Sequence, residues 1–352
     1  MELEFKPDFA QAQRRWDAFW HKEIIDRPCA GVVAPKDGAR PVPRPKYLDG
    51  FHGDYAAAVE RFAAWASQHY FAGEAIPQFC PSFGPDMFAA FLGAELRWSE
   101  SDVLTTWCLP CIEDWAQALP LRIDPENRWW RGILEFLRTS AELGEGKFLT
   151  AVIDLHSNAD AVAAARRPER FCMDLYDCPE MVERAMRDVR ALYPMVYEAV
   201  FAAGRMDKWG SSHAFYCRGR FAMTQCDLAY LVSPEMFNRF ILPALREEWA
   251  YLDHSIYHLD GEKALVHLEA ILASEDLGGV QWVPGAGKPR QVEWLDLLKR
   301  IQAAGKSLHI RASIEEIKQI HRELRPELVF YDTWAPSERE ADEFLAWLKR
   351  NT

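Results

Sequence analysis

The chain has 352 residues, 49% of them hydrophobic, and a formal net charge of −12 from 53 acidic and 41 basic residues. That suffices for one large α/β barrel or two average domains, and without any run of Lys and Arg there is no electrostatic footprint for nucleic acid or an acidic membrane surface. Met1–Lys6 does not open a signal peptide, no apolar run approaches the ~20 residues of a membrane span, and eight cysteines are scattered irregularly, so the expectation is a soluble cytoplasmic protein with reduced thiols.

In chain order, Phe9 to Ile25 sets Phe9, Trp16, Phe19 and Trp20 on one helical stripe, and after Asp26-Arg27-Pro28 the run Cys29–Ala34 reads as a short buried strand. Residues 35–50, rich in Pro, Gly, Lys and Arg, form a surface loop. A helix over 55–68 precedes a strand at Ala75–Cys80, which leaves through the turn-rich Pro81-Ser82-Phe83-Gly84-Pro85-Asp86. Residues 98–130 hold several tryptophans and make an aromatic-rich excursion, expected to lie over the mouth of the fold with Trp107 buried against the strand ends. Phe148–Leu155 is a strand ending in His156-Ser157-Asn158, residues 179–203 are helical, and 213–226 hold one extended element or a pair.

A helix then starts at Ser233-Pro234-Glu235, with serine placed to cap and proline at the first helical position. From there strands Ser255–Asp260, Gly279–Val283, Ser307–Arg311 and Leu328–Thr333 alternate with helices over 262–273, 290–304, 313–324 and 336–350. Consecutive strand–helix units with short loops require parallel strands and right-handed crossovers. Together with the strands near residues 30, 77, 150 and 220 they predict a (β/α)8 TIM-type barrel. It would be one α/β domain over 1–352, with an N-terminal helical extension and the aromatic-rich insertion. No Gly-rich loop follows the first strand, which argues against an open dinucleotide-binding sheet.

In such a barrel the strand ends face the active site. His258 and Asp260 are two apart on a strand and project to one face. That suits a shared metal ion, or a histidine base oriented by a carboxylate. Asp227, ending Thr224-Gln225-Cys226-Asp227, is a third catalytic candidate, whereas Cys226 reads better as core than as a thiolate ligand. Candidates for binding substrate are His156, Asp86, Trp107, Gln281 and Arg311, the last able to pair with a carboxylate. Val283–Lys288 lacks the phosphate-loop spacing because Pro289 follows Lys288, and the single Cys108-Leu109-Pro110-Cys111 is a weak metal or redox signal.

Ser233-Pro234-Glu235-Met236-Phe237 with Pro243, then Tyr257-His258-Leu259-Asp260-Gly261, then Gln281-Trp282-Val283-Pro284-Gly285, resembles the uroporphyrinogen decarboxylase superfamily. So does Asp174-Leu175-Tyr176-Asp177-Cys178-Pro179-Glu180 before a helix. The resemblance implies the same barrel and one of two chemistries. Porphyrinogen decarboxylases carry an arginine-rich N-terminal motif, and Asp26-Arg27-Pro28-Cys29 stands here instead. The other branch comprises zinc-dependent methyltransferases that move methyl groups between corrinoid proteins and thiols or other acceptors, with zinc on His-x-Cys and a later Cys. This chain is similar at His258, but Asp260 takes the Cys position and Tyr331-Asp332-Thr333-Trp334 holds no cysteine. Such hard donors suit water, an alcohol or a carboxylate better than a thiol.

The resemblance thus implies a metal-dependent methyltransferase or demethylase of a small molecule, with His258 and Asp260 as zinc ligands. The corrinoid would ride on a partner protein, since no D-x-H-x-x-G run occurs in the chain. The competing expectation is a metal-assisted lyase, decarboxylase or hydrolase for a small carboxylated metabolite, with His258 and Asp260 as acid/base pair and Arg311 as anchor.

Overall fold

The computed structural model describes residues 2–99, 102–285 and 287–352. Thirteen strands follow in chain order: β1 Cys29–Pro35, β2 His69–Gly73, β3 Gln78–Phe79, β4 Glu95–Ser99, β5 Asp102–Leu109, β6 Leu149–Thr150, β7 Ser211–His213, β8 Phe215–Cys217, β9 Phe221–Gln225, β10 His254–Asp260, β11 Gly279–Val283, β12 Ser307–Arg311 and β13 Val329–Trp334. Seven of them form one sheet in the order β2-β1-β13-β12-β11-β10-β9. All its pairings are parallel except β1 with β2. The first strand is therefore bonded to the last, so the sheet curls back on the start of the chain. Runs such as Val329-Phe330-Tyr331 are buried on both faces, as expected when helices cover a parallel sheet.

The regular strand–helix alternation of the last third is present as expected, with β11 and β12 spanning the residues read from the sequence. Ser313 caps its helix by accepting from the Glu316 N–H, and Ser233 accepts from that of Met236. The N-terminal half differs more. β2 was not foreseen: it occupies the second edge of β1 in antiparallel sense. β3 and β6 bond only to one another, over two residues each, although residues 75–80 and 148–155 read as longer strands. Val152 N–H then donates to the Ser212 carbonyl at 2.8 Å, tying the segment after β6 to β7. Among the described residues the strands thus form an arc of seven and three separate pairs, and they do not show the closed eight-stranded ring expected from the sequence. No helix among them is long and apolar enough to cross a membrane.

The N-terminal helix, Phe9–Trp20, stops short of Ile24 and Ile25, which are exposed. Its aromatic stripe fills the interior at the N-terminal ends of the parallel strands. Trp16 is fully buried, with its ring 5.4 Å from that of Phe215 and 4.7 Å from that of Phe330. These two rings in turn stand 4.9 and 5.2 Å from the imidazole of His309. The aromatic plug is the floor on which the polar residues of the sheet interior rest.

The turn between β2 and β3 carries a buried charge. Glu74 is 1% exposed and accepts from Arg27 Nη2 at 3.0 Å and from the Ala30 N–H at 2.8 Å, with Arg15 Nε at 3.4 Å. Removing one member of a buried ion pair leaves the others uncompensated, a loss of about 3–5 kcal/mol. Glu74→Ala is expected to lower the unfolding free energy in urea by about that amount, and Glu343→Ala, at the exposed pair with Arg339, by no more than about 1 kcal/mol. Equal effects of the two substitutions would refute the structural role given to Glu74.

Candidate functional site

Parallel pairing sets Gln225 opposite His258, His258 opposite Gln281, and Gln281 opposite His309. Four neighbouring strands therefore contribute one polar side chain each to a single row. The Gln281 carboxamide bridges two of them: its Oε1 meets His258 Nδ1, and its Nε2 lies 2.7 Å from His309 Nδ1. On the far side of His309, Asp332 Oδ2 is 3.7 Å from Nε2. That carboxylate favours a proton on Nε2, which makes Nδ1 an acceptor and requires Gln281 to present its amide nitrogen there. Gln281 Oε1 must then accept from His258 Nδ1–H, leaving His258 Nε2 with a free lone pair. A donor nitrogen fixed by a hydrogen bond on the opposite nitrogen is the arrangement metal-ligating histidines use.

Asp227, His258 and Asp260 each offer one ligand atom, all within 4.8 Å of one another. Asp260 follows His258 by two residues on the same strand face, and Gly261, at φ 79°, turns the chain away behind it. Asp227 is positioned from the other side, because its N–H and that of Leu228 both donate to Asp160 at 2.9 Å. Burial pushes the Asp260 carboxyl above its usual value, and His258 partly offsets this. Cys226 is not of this group. Its buried thiol points to Asp160 Oδ1 at 3.5 Å, and burial drives it well up, so it stays a protonated core side chain. Asp227 and His258 line a cavity of about 660 Å³, which His156, Gln225, Gln281, His309 and Arg311 also line, and Asp260 stands exposed beside them.

His156 adjoins the row as a charged group. Its backbone is left-handed, at φ 36°, as is that of Asn158 at φ 50°, so the segment between β6 and the helix from Asn158 holds a turn that few side chains adopt freely. Nε2 donates to Asp154 Oδ2 at 3.1 Å, and Nδ1 lies 3.8 Å from Asp160 Oδ2. Burial opposes the charged ring, but the Asp154 hydrogen bond and the charges of Asp154, Asp160 and Asp227 outweigh it and lift His156 to about 9. Burial likewise pushes Asp154 up, yet contact with His156 holds it below its ordinary value. Both imidazole nitrogens of such a ring are donors, so the Gln225 amide lying against them turns its oxygen inward. His309 is the opposite case. Burial dominates, Asp332 compensates only in part, and the ring is held below its ordinary value as a neutral imidazole.

Of the other candidates, Arg311 lies at the edge of the 660 Å³ cavity, with Nε 3.6 Å from Asp332 Oδ2. Asp86 and Trp107 line a neighbouring cavity of about 460 Å³ that reaches His156 and Asp227. Asp86 is occupied structurally: its Oδ2 accepts from the Cys108 N–H at 3.0 Å and anchors the β4–β5 hairpin. Trp107 is 44% exposed, not buried as the sequence suggested. Along β5 alternate side chains turn inward, and Thr106 and Cys108 take the inner positions, leaving Trp107 and Leu109 outside. Sequence reasoning passed over Asp160 and His213. Asp160 sits in an alanine-rich helix whose polar positions read as surface, and His213 Nδ1–H donates to the Val152 carbonyl at 2.9 Å from a strand too short to register.

No family model and no curated protein matches the chain. Among solved structures it is similar to a methyltransferase from Methanosarcina mazei, with a TM-score of 0.61 and 12% identity over 96% of this chain and 98% of that one. At this identity the likeness is one of fold alone, an α/β architecture shared along nearly the whole chain.

The charge state of His156 has a measurable consequence. Its folded value of about 9 exceeds the ordinary 6.5, so its stabilisation is whole below pH 6.5 and is lost as the pH rises through about 9. The shift corresponds to roughly 3 kcal/mol. Wild type is expected to lose stability to urea across this interval relative to His156→Asn, which lacks the group. Parallel pH profiles for the two proteins would contradict the assignment.

Proposed function

We propose that the protein is a metal-dependent methyltransferase or demethylase that removes a methyl group from a small substrate, with Asp227, His258 and Asp260 as ligands of one zinc ion. The observation that carries this reading is the meeting of His258 Nε2, left free by Gln281, with the exposed carboxylates of Asp227 and Asp260 beside an open cavity. The three donors match zinc chemistry: one imidazole and two carboxylates leave positions open for substrate. A zinc ion there would act as Lewis acid toward the substrate heteroatom that carries the methyl group. The arc of parallel strands and the β3–β6 pair are read as one barrel, whose strand ends carry the site as barrel enzymes do.

The chain's own groups fit the demands of demethylation. As the carbon–heteroatom bond breaks, the heteroatom keeps the electron pair and the methyl group passes to an external nucleophile. The reading assigns that role to a reduced corrinoid carried by a partner protein. The leaving heteroatom needs positive charge beside it, and His156, protonated at neutral pH, holds a proton in the same cavity. Gln281 and His309 fix the tautomer of His258. Around the loops that follow β9 and β10, Tyr230, Leu231 and Val266 are exposed, and Trp107 and Leu109 stand free on the hairpin. An exposed apolar rim of this kind suits a large flat cofactor presented from outside. A lyase or hydrolase of a free metabolite gains nothing from it.

Two measurements test the reading. Titration of metal-free protein with zinc is expected to show one site per chain, lost in His258→Ala and Asp260→Asn and weakened roughly 10- to 100-fold in Gln281→Leu. Failure of the wild type to take up zinc would end it. In an activity assay, methylated small substrates are expected to lose methyl groups to reduced cobalamin only with metal-loaded protein. Turnover of a carboxylated metabolite without any methyl acceptor would instead establish a lyase or hydrolase.

A further inference from the structure

Next to the cavity lined by Asp227 and His258 lies a second one of about 340 Å³, and the two share His213, Ala214, Arg311 and Asp332 in their walls. One side of this second lobe is apolar, built by Phe62, Phe79 and Phe330, all buried. The other side carries Arg44, Lys46 and Arg311, with Asp49 and Asp332. The two carboxylates are already engaged. Asp49 accepts from Arg61 Nε at 3.2 Å and from the Lys46 N–H at 3.0 Å, and Asp332 faces Arg311 and His309.

Arg44 is different. Its guanidinium carbon stands 5.7 Å from the centre of the Trp65 ring and 5.5 Å from that of Trp334, so aromatic faces position it without using its N–H groups. Among the described residues it has neither a side-chain hydrogen bond nor an ion pair. Burial and the like charge of Arg311 both hold it below its ordinary value. Its rigid donors thus border the cavity, and among the described residues no protein acceptor takes them. Cations outnumber carboxylates in the wall, which suits an anionic ligand.

We propose that this lobe binds the carboxylate end of an aryl carboxylic acid, Arg44 and Arg311 taking the carboxylate and the wall of Phe62, Phe79 and Phe330 the ring. The substrate then spans both lobes, its other end reaching the metal site, and that part rests on the function proposed above. Binding in the lobe itself is independent of the metal. A guanidinium fork meets a carboxylate through two parallel hydrogen bonds, so Arg44 selects for charge as well as shape.

Calorimetric titration with benzoate, with benzamide as its neutral isostere and with inorganic phosphate tests this on wild type, Arg44→Gln and His258→Ala. Arg44 lies on an exposed loop, so its substitution leaves the fold intact, which zinc uptake by the same variant checks. Wild type is expected to bind benzoate tens of times more tightly than benzamide. In Arg44→Gln, benzoate weakens by roughly 10- to 100-fold, the loss expected for hydrogen bonds to a charged group, while benzamide and zinc binding stay as they were. In His258→Ala benzoate binding persists although zinc binding is lost. Benzoate retained beside a wild type that takes up no zinc would uphold the lobe and remove the proposed function. Equal binding of benzoate and benzamide, indifference of benzoate to Arg44→Gln, or phosphate bound as tightly as benzoate would overturn the proposal.

Discussion

In-register parallel pairing of β9, β10, β11 and β12 puts Gln225, His258, Gln281 and His309 side by side, and everything at the site depends on that alignment. Side chains on a strand alternate between faces, so a slip of one residue in any of these strands would turn its member of the row toward the covering helices. The apolar residues between them hold the register. Tyr257, Leu259, Val280, Leu308 and Ile310 are all essentially buried beneath the helices and have no favourable place in the polar interior. Burial on the outside of the sheet thus fixes the chemistry on its inside. Trp16, Phe215 and Phe330 close the interior from below, so the row borders apolar floor on one side and the open cavity on the other.

The same row shows how burial alone leaves the state of a histidine undecided. His156 and His309 are both buried, and desolvation disfavours the charged ring in each. His156 meets Asp154 at 3.1 Å with Asp160 and Asp227 nearby, and the carboxylates win. His309 meets a neutral carboxamide at 2.7 Å and a carboxylate only at 3.7 Å, and desolvation wins. One imidazole is therefore held charged and the other neutral within one cavity. The neutral ring lets Gln281 pass a definite orientation to His258, which a charged ring with two donors would reverse.

What could be read from the sequence follows from how local the causes are. The strands from β10 onward were legible because each is a short apolar run with a helix of clear period behind it, and the spacing of His258 and Asp260 already placed them on one face. Gln281 was legible as a strand-end residue, but its bridging role was not, since it arises from register with two other strands. β2 escaped because His69-Tyr70-Phe71-Ala72-Gly73 continues directly from a helix and pairs backwards with β1, an event no local pattern signals. Trp107 was misjudged for a related reason: its aromatic character suggested burial, while the alternation along β5 gave the inner positions to Thr106 and Cys108. Arg44 lay in a loop whose Pro, Gly and basic residues read as surface, and only Trp65 and Trp334, far apart in sequence, give it a fixed place.

The donor set is where this chain departs most from the pattern it resembles, and the departure has a direction. Two thiolates donate electron density and make a bound zinc ion softer and less acidic, which suits capture and activation of another thiol. On the proposed reading Asp227 and Asp260 would supply the same formal charge through oxygen, keeping a zinc centre neutral while raising its acidity toward a substrate oxygen or nitrogen. The burial that pushes Asp260 up makes it a better base, with His258 working against the push and the like charge of Asp227 adding to it. Such a centre would be better matched to stabilising a leaving heteroatom than to presenting a thiolate nucleophile. The thiols agree: Cys226, the one cysteine beside the cluster, is turned away and held protonated. On the proposed reading, Asp260 at the Cys position would suit the donor side of methyl transfer, where the substrate gives the methyl group up.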